Sequence, residues 1–286
     1  MTTEEYTITR KPDTDKAWNA LHARLKEENL LSEIKEEYPV RRMVIPVRWV
    51  AAVLFALCIG TAIIVHFYPS SDTNHLLTLQ NIDNNNTLVK TLDDGSTIYL
   101  AGNASLSYPK TFAQHDREVT LKGNALFDIA RNPDKPFRIE TEKMIVEVLG
   151  TSFKVKSDVK GAFELAVLRG KVKVMQKENK EYVYVTAGQC VTLIGSHLRK
   201  SYNPEASSSD GFTENMRFKD EPLERIIRVI NQNSAQTVVL KDELIKQYKL
   251  NVRFYNKNVD SMTRLISLAL HLKREVKQDS IFISQP

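Results

Sequence analysis

FELAVLRGKVKVM, residues 163–175, holds two short runs of alternating apolar and polar side chains hinged on Arg169-Gly170-Lys171. Alternation with period two puts apolar groups on one face of an extended chain, and a glycine between charged residues marks a tight turn. The same grammar extends both ways. N-terminal to it lie Thr97–Leu100 after Asp93-Asp94-Gly95, Glu118–Leu121 before Lys122-Gly123-Asn124, Phe137–Glu140, Met144–Leu149 and Phe153–Lys156. Beyond it comes Tyr182–Val185. Many short strands at this spacing predict a mainly β body over residues 88–199, a sandwich, roll or solenoid.

The tail, residues 212–286, reads differently. Met216–Lys219 is strand-like, Pro222 suits a first helical position, and Leu223, Ile226, Ile227 and Ile230 share a helix face. Val238–Leu240 is β-like. A second round follows, with a strand at Leu250–Tyr255, a cap at Asn258, and Val259, Met262, Leu265, Ile266 and Leu270 on one helical face. Strands at Leu272–Val276 and Ser280–Ser284 close it. Phe218 precedes Leu223 by the offset that separates Phe254 from Val259. The pattern predicts a duplicated strand–helix–strand unit, a small α/β domain. The polar stretch KSYNPEASSSDG, residues 200–211, is expected to link body and tail.

WVAAVLFALCIGTAIIVHFY, residues 49–68, carries no formal charge and is long enough for a transmembrane helix. Trp49 and Tyr68 stand at its ends, where amphipathic rings prefer the interface. Arg41, Arg42 and Arg48 flank its N-terminal side, and no Lys or Arg follows until Lys90. The charge asymmetry predicts a single-pass membrane protein with the N-terminus in the cytoplasm and the C-terminus outside it. Residues 69–87, Asn-rich at Asn84-Asn85-Asn86, are expected to be a spacer.

Residues 1–47 form a polar head. Asp13–Glu37 has helical spacing, with Trp18, Leu21 and Leu25 on one face and Leu30, Leu31 and Ile34 continuing it. So short a helix cannot bury its stripe alone, so the reading is either a juxtamembrane stalk or a partner-binding helix.

The formal net charge of +5 raises nucleic acid as a partner, but Lys and Arg are interspersed with acids, as in Lys177–Glu181. No direct nucleic-acid binding is expected. Cys58 and Cys190 provide no disulfide framework, and the six histidines show no metal-ligand spacing. No phosphate loop or nucleophile elbow is present, and Ser157-Asp158-Val159-Lys160 matches only the bare S-x-x-K pattern. The expectation is a binding or sensing protein, not an enzyme, with no cofactor.

Leu92-Asp93-Asp94-Gly95-Ser96, Tyr99-Leu100, Tyr108-Pro109 and Arg117-Glu118-Val119 leading to Leu121-Lys122-Gly123 together resemble the FecR family. Pro136-Phe137-Arg138-Ile139, Val148-Leu149-Gly150-Thr151-Ser152-Phe153-Lys154-Val155, Leu168-Arg169-Gly170-Lys171-Val172 and Ala187-Gly188-Gln189 extend the resemblance. It implies a FecR-like β-roll or solenoid. The tail is similar to the secretin-and-TonB short N-terminal fold that accompanies such modules, and Asp15-Lys16-Ala17-Trp18 resembles the Trp-bearing helix that opens these proteins. The family implies an inner-membrane anti-sigma factor. Its cytoplasmic head would bind an extracytoplasmic-function sigma factor through Trp18, Leu21, Leu25 and Ile34. Its periplasmic part would contact the signalling domain of an outer-membrane TonB-dependent transporter. The alternative is a membrane-anchored periplasmic scaffold or carbohydrate-binding module without sigma binding.

Overall fold

A computed structural model describes residues 14–28, 57–60, 76–157, 162–205, 208–209, 211–255 and 258–286. The chain divides into two compact units, Met1–Ser70 and Ser71–Pro286.

In the first unit, α1 spans Thr14–Glu27 and buries none of its residues. Ile34, Arg41, Arg42, Arg48, Trp49 and Tyr68 lie outside the described residues, as does most of the apolar run 49–68. Among the described residues no helix is long and apolar enough to cross a membrane.

The second unit is mainly β. Its first fourteen strands are β1 Leu76–Gln80, β2 Thr87–Thr91, β3 Thr97–Leu100, β4 Ser105–Pro109, β5 Arg117–Lys122, β6 Ala125–Asp128, β7 Phe137–Glu140, β8 Met144–Val148, β9 Ser152–Ser157, β10 Phe163–Arg169, β11 Lys171–Gln176, β12 Tyr182–Thr186, β13 Gln189–Ile194 and β14 His197–Tyr202. The tail adds β15 Asn215–Pro222, α2 Leu223–Gln232, β16 Thr237–Leu240, α3 Glu243–Lys246, β17 Lys249–Tyr255, α4 Val259–Leu270, β18 Lys273–Lys277 and β19 Ser280–Ser284. β1 falls inside the expected spacer, and β14 runs into the stretch expected to be a linker.

Three sheets form. One has the order β1-β4-β5-β7-β8-β11-β12, a second β14-β13-β10-β9-β6-β3-β2-β15-β17, and a third β16-β19-β18. The first two face each other across one core, in which Leu106, Val119, Phe137, Val146 and Val172 meet Leu88, Ile98, Phe127, Phe153 and Leu165. The Phe127 and Phe153 rings stack at 5.4 Å. Gly170 therefore does not close a hairpin: β10 and β11, on either side of it, belong to opposite sheets.

The second sheet is buried on both faces where the tail covers it. Along β2, β3 and β6, Leu88, Ile98 and Phe127 point into the first core, whereas Val89, Tyr99 and Leu126 point into a second. That second core also holds Phe218, Ile226, Val229 and Ile230, together with Met262, Ile266 and Ile281. Period-two alternation thus serves two cores from one set of strands.

Candidate functional surfaces

The motif residues of the body are architectural. Asp94 caps its own turn, its Oδ1 accepting from the Ser96 amide at 3.0 Å and its Oδ2 from Ser96 Oγ at 2.7 Å. Arg117, 1% exposed, donates through Nη1 to Asp94 Oδ2 at 2.8 Å and to Ala130 O at 3.0 Å, and through Nε to Lys135 O at 2.9 Å. Its guanidinium lies 5.3 Å from the centre of the Phe137 ring. A buried cation needs such partners, and here they fasten the Asp93-Asp94-Gly95-Ser96 turn to the start of β5. Gly150 has φ +152°, and a Cβ there would lie 2.5 Å from the Arg131 Cα, so the backbone approach excludes any side chain.

The junction between body and tail carries the most unusual chemistry. β15 lies parallel to β2, pairing Met216, Arg217 and Phe218 with Thr87, Leu88 and Val89. The β15–β17 register then shifts between Phe218 and Glu221, and Asp220 takes φ +49°. Such a bulge re-aims the following side chain. Glu221 is fully buried, accepting from Lys90 Nζ at 2.7 Å and from the Thr91 amide at 3.3 Å. Arg225, one turn into α2, donates to Thr91 O at 2.9 Å and to Asp93 Oδ1 at 2.8 Å.

A second polar cluster grips the other end of β15. Asn81, itself buried, donates to Asn86 O at 2.8 Å and Leu100 O at 3.0 Å, and its Oδ1 accepts from Arg217 at 3.3 Å. Asp83 accepts from the Asn85 amide at 3.0 Å and from Asn86 Nδ2 at 3.0 Å, with Arg253 at 3.6 Å and Arg217 at 4.0 Å. The Asn85 amide, then Asn86, then the two guanidiniums hold its carboxyl below the ordinary value. Between the clusters, Asn233 Nδ2 donates to Tyr99 Oη at 3.0 Å. Burial pushes the Tyr99 phenol up to about 12, against the opposing effect of that hydrogen bond.

Among the described residues six strands have a strand partner on one side alone: β1 and β12, β14 and β17, and β16 and β18. β17 presents exposed Lys249, Asn251, Arg253 and Tyr255 on one face. On α1, Trp18 is 64% and Leu21 49% exposed, while Leu25 is half-buried. These three predicted sigma-facing residues therefore share a helix, while Ile34 lies outside the described residues.

Among the described residues no group of three or more His, Cys, Asp or Glu stands ready for a metal ion. Among the described residues neither Cys58 nor Cys190 forms a disulfide, and Cys190 Sγ lies 3.0 Å from Ser201 Oγ. Ser157 is buried at the end of β9, and Lys160 of the S-x-x-K pattern lies outside the described residues.

Glu221, Lys90 and Arg225 were not singled out by the sequence. A glutamate two residues past a strand-like run, directly before proline and an apolar helix face, is the one local signal that could have marked it. Its lysine partner sits 131 residues away, beyond the reach of any local pattern.

No curated protein matches this sequence. Among solved structures, two crystal structures of a candidate anti-sigma factor from Parabacteroides distasonis ATCC 8503 are similar. One shares 21% identity and covers 74% of this chain and 99% of its own, with a TM-score of 0.45. The other shares 20% identity and covers 73% and 99%, with the same TM-score. The model of the FecR protein family matches residues 81–173, which run from the Asn81 loop to the middle of β11. That stretch of the body, 93 of the 286 residues, is thus similar to the FecR protein family.

Proposed function

We propose that this chain is an inner-membrane anti-sigma factor. The head, residues 1–47, holds an extracytoplasmic-function sigma factor in the cytoplasm. Residues 49–68 cross the membrane, and the FecR body with its tail receives a signal in the periplasm from an outer-membrane TonB-dependent transporter.

The observation that carries the reading is α1. It buries no residue of its own, yet it presents Trp18 and Leu21 to solvent in a chain that bears a FecR body. An apolar stripe left open on a short helix is a docking face, and tryptophan is the residue type most enriched at binding hot spots. Leu25 extends that face, and the helical spacing of the sequence carries the stripe on to Ile34. On the periplasmic side, the open edge of β17 suits addition of an extended strand from the transporter's signalling domain. Signal and output are coupled only if the head's two states differ in affinity for the sigma factor. Regulated proteolysis, which severs the head from its anchor, meets that condition without relaying a shape change through one helix.

The test is capture of the sigma factor encoded nearest this gene by the full chain in detergent, with Trp18→Ala in parallel. Binding should weaken by about 2 kcal/mol or more in the variant, roughly thirty-fold. Equal capture by both proteins, or none by either, would move the reading to a membrane-anchored scaffold. An alkaline phosphatase fusion after Pro286 should be active and one before Arg41 inactive; the reverse pattern refutes the orientation.

A further inference from the structure

β1 is an edge strand, paired only with β4, and its sequence LLTLQ carries no charge. Leu76 is 64% and Leu77 42% exposed, successive residues at its start that face opposite sides of the strand. Open edges in folded proteins are ordinarily guarded by charge, proline or a covering element, so a bare dileucine edge calls for a cover. Leu76 and Leu77 pair with Pro109 and Tyr108, and exposed Lys110 follows directly.

Leu77, Tyr108, Pro109 and Lys110 also line a cleft of about 410 Å³ that reaches across to Lys249 of the tail. Its lining carries four cations, of which Lys90 pairs with buried Glu221, Arg225 with Asp93 and Lys249 with Asp220, which leaves Lys110 as the cation that no acid of the cleft offsets. An exposed lysine beside an apolar edge is the composition of a surface that rests on an anionic bilayer.

Chain length says which surface is in reach. The apolar run ends at Tyr68, eight residues before Leu76, and eight extended residues span at most about 29 Å. If that run anchors the chain, as proposed above, the dileucine edge is held beside the bilayer at high effective concentration, where even a weak affinity is enough to dock it. We propose that Leu77 and Lys110, which share the mouth of this cleft, form a docking face for anionic phospholipid headgroups, which seats the periplasmic body on the outer leaflet of its own membrane. The proposal rests on the anchor reading and adds a defined orientation to it.

The full chain, reconstituted in nanodiscs of pure phosphatidylcholine or with roughly a third phosphatidylglycerol, would be followed by hydrogen–deuterium exchange. Residues 76–79 and 110–115 should exchange several-fold more slowly in the anionic discs. That slowing should vanish in the double variant Leu77→Ser, Lys110→Glu. Both side chains lie at the surface, and an unchanged unfolding temperature would show that the variant is folded. Equal exchange in the two lipids, or slowing that the variant keeps, overturns the docking face. A chain that fails to enter nanodiscs overturns the anchor itself, and this proposal with it, and is recognised by its elution apart from the discs.

Discussion

Glu221 joins two parts of the chain that lie 131 residues apart in its contact with Lys90. A buried ion pair adds little net stability over an apolar pair of the same shape, but breaking one by removing a single partner leaves an uncompensated charge. Glu221→Ala should therefore destabilise residues 71–286 by about 3–5 kcal/mol, measured by urea unfolding. Glu221→Gln keeps an acceptor for the Thr91 amide and should cost less. Equal losses would mean that packing, not charge, matters at this position. Asp83 offers a test by pH. Its folded carboxyl is held below the ordinary aspartate value, so the folded state binds its proton less readily than the unfolded chain. Its contribution is present above the unfolded value and is lost as pH falls through the lowered folded one. Asp83→Asn should lower the unfolding temperature near neutral pH, and the gap to the parent should close once the pH drops below that window. A gap of constant size from pH 7 down to pH 3 would show that the Asn85 and Asn86 hydrogen bonds, not the charge, matter.

α4 shows how far local rules carry an element. Asn258 caps it as its sequence position implies, its side chain accepting from the Ser261 amide at 3.0 Å. His271 ends it in the left-handed conformation at φ 53°, where glycine is the usual residue. Asn258→Ala should cost about 1 kcal/mol, and His271→Gly should be neutral or gain up to about 1 kcal/mol, both by thermal unfolding. A stabilising Asn258→Ala would remove the cap from the account. The extents of other strands were equally legible: β7 occupies Phe137–Glu140 with one face buried, as alternation implies, and β3 occupies Thr97–Leu100 with both faces buried. β1 and β14 were hidden for the complementary reason. As exposed edge strands they bury almost nothing, and they were passed over with the polar stretches that surround them, the Asn-rich spacer and residues 200–211. Pairing was less legible than extent. The parallel contacts of β5 with β7 and of β2 with β15, and the passage of Gly170 between sheets, depend on partners that no local window contains. Of the candidate site, the head stripe could be read from helical spacing. The Glu221 junction could not, because its meaning arises only when the tail meets the body.

The tail and the β-rich body share a sheet and a core, and that makes a prediction about the unit from Ser71 to Pro286 as a whole. Two domains joined by a flexible linker would unfold separately, each with its own transition. Here β15 extends the body's sheet through β2, and Val89, Tyr99 and Leu126 of the body pack among Phe218, Ile226 and Val229 of the tail. Stripping the tail away would return those three body side chains to water, at about 1.5–3 kcal/mol for each one fully buried, and would open the β2 edge. Calorimetry of residues 71–286 should therefore give a single cooperative transition, with the calorimetric enthalpy matching the van't Hoff value. Residues 71–211 alone should melt at a lower temperature and self-associate through the uncovered face. Two resolved transitions in the longer chain, or a shorter chain that stays monomeric with its stability intact, would mean that the tail merely rests on the body. A signal arriving at the tail would then have no rigid path into the FecR sheet. A single transition means instead that any partner engaging β17 pulls on a sheet running without a break from β17 through β15 and β2 to β14.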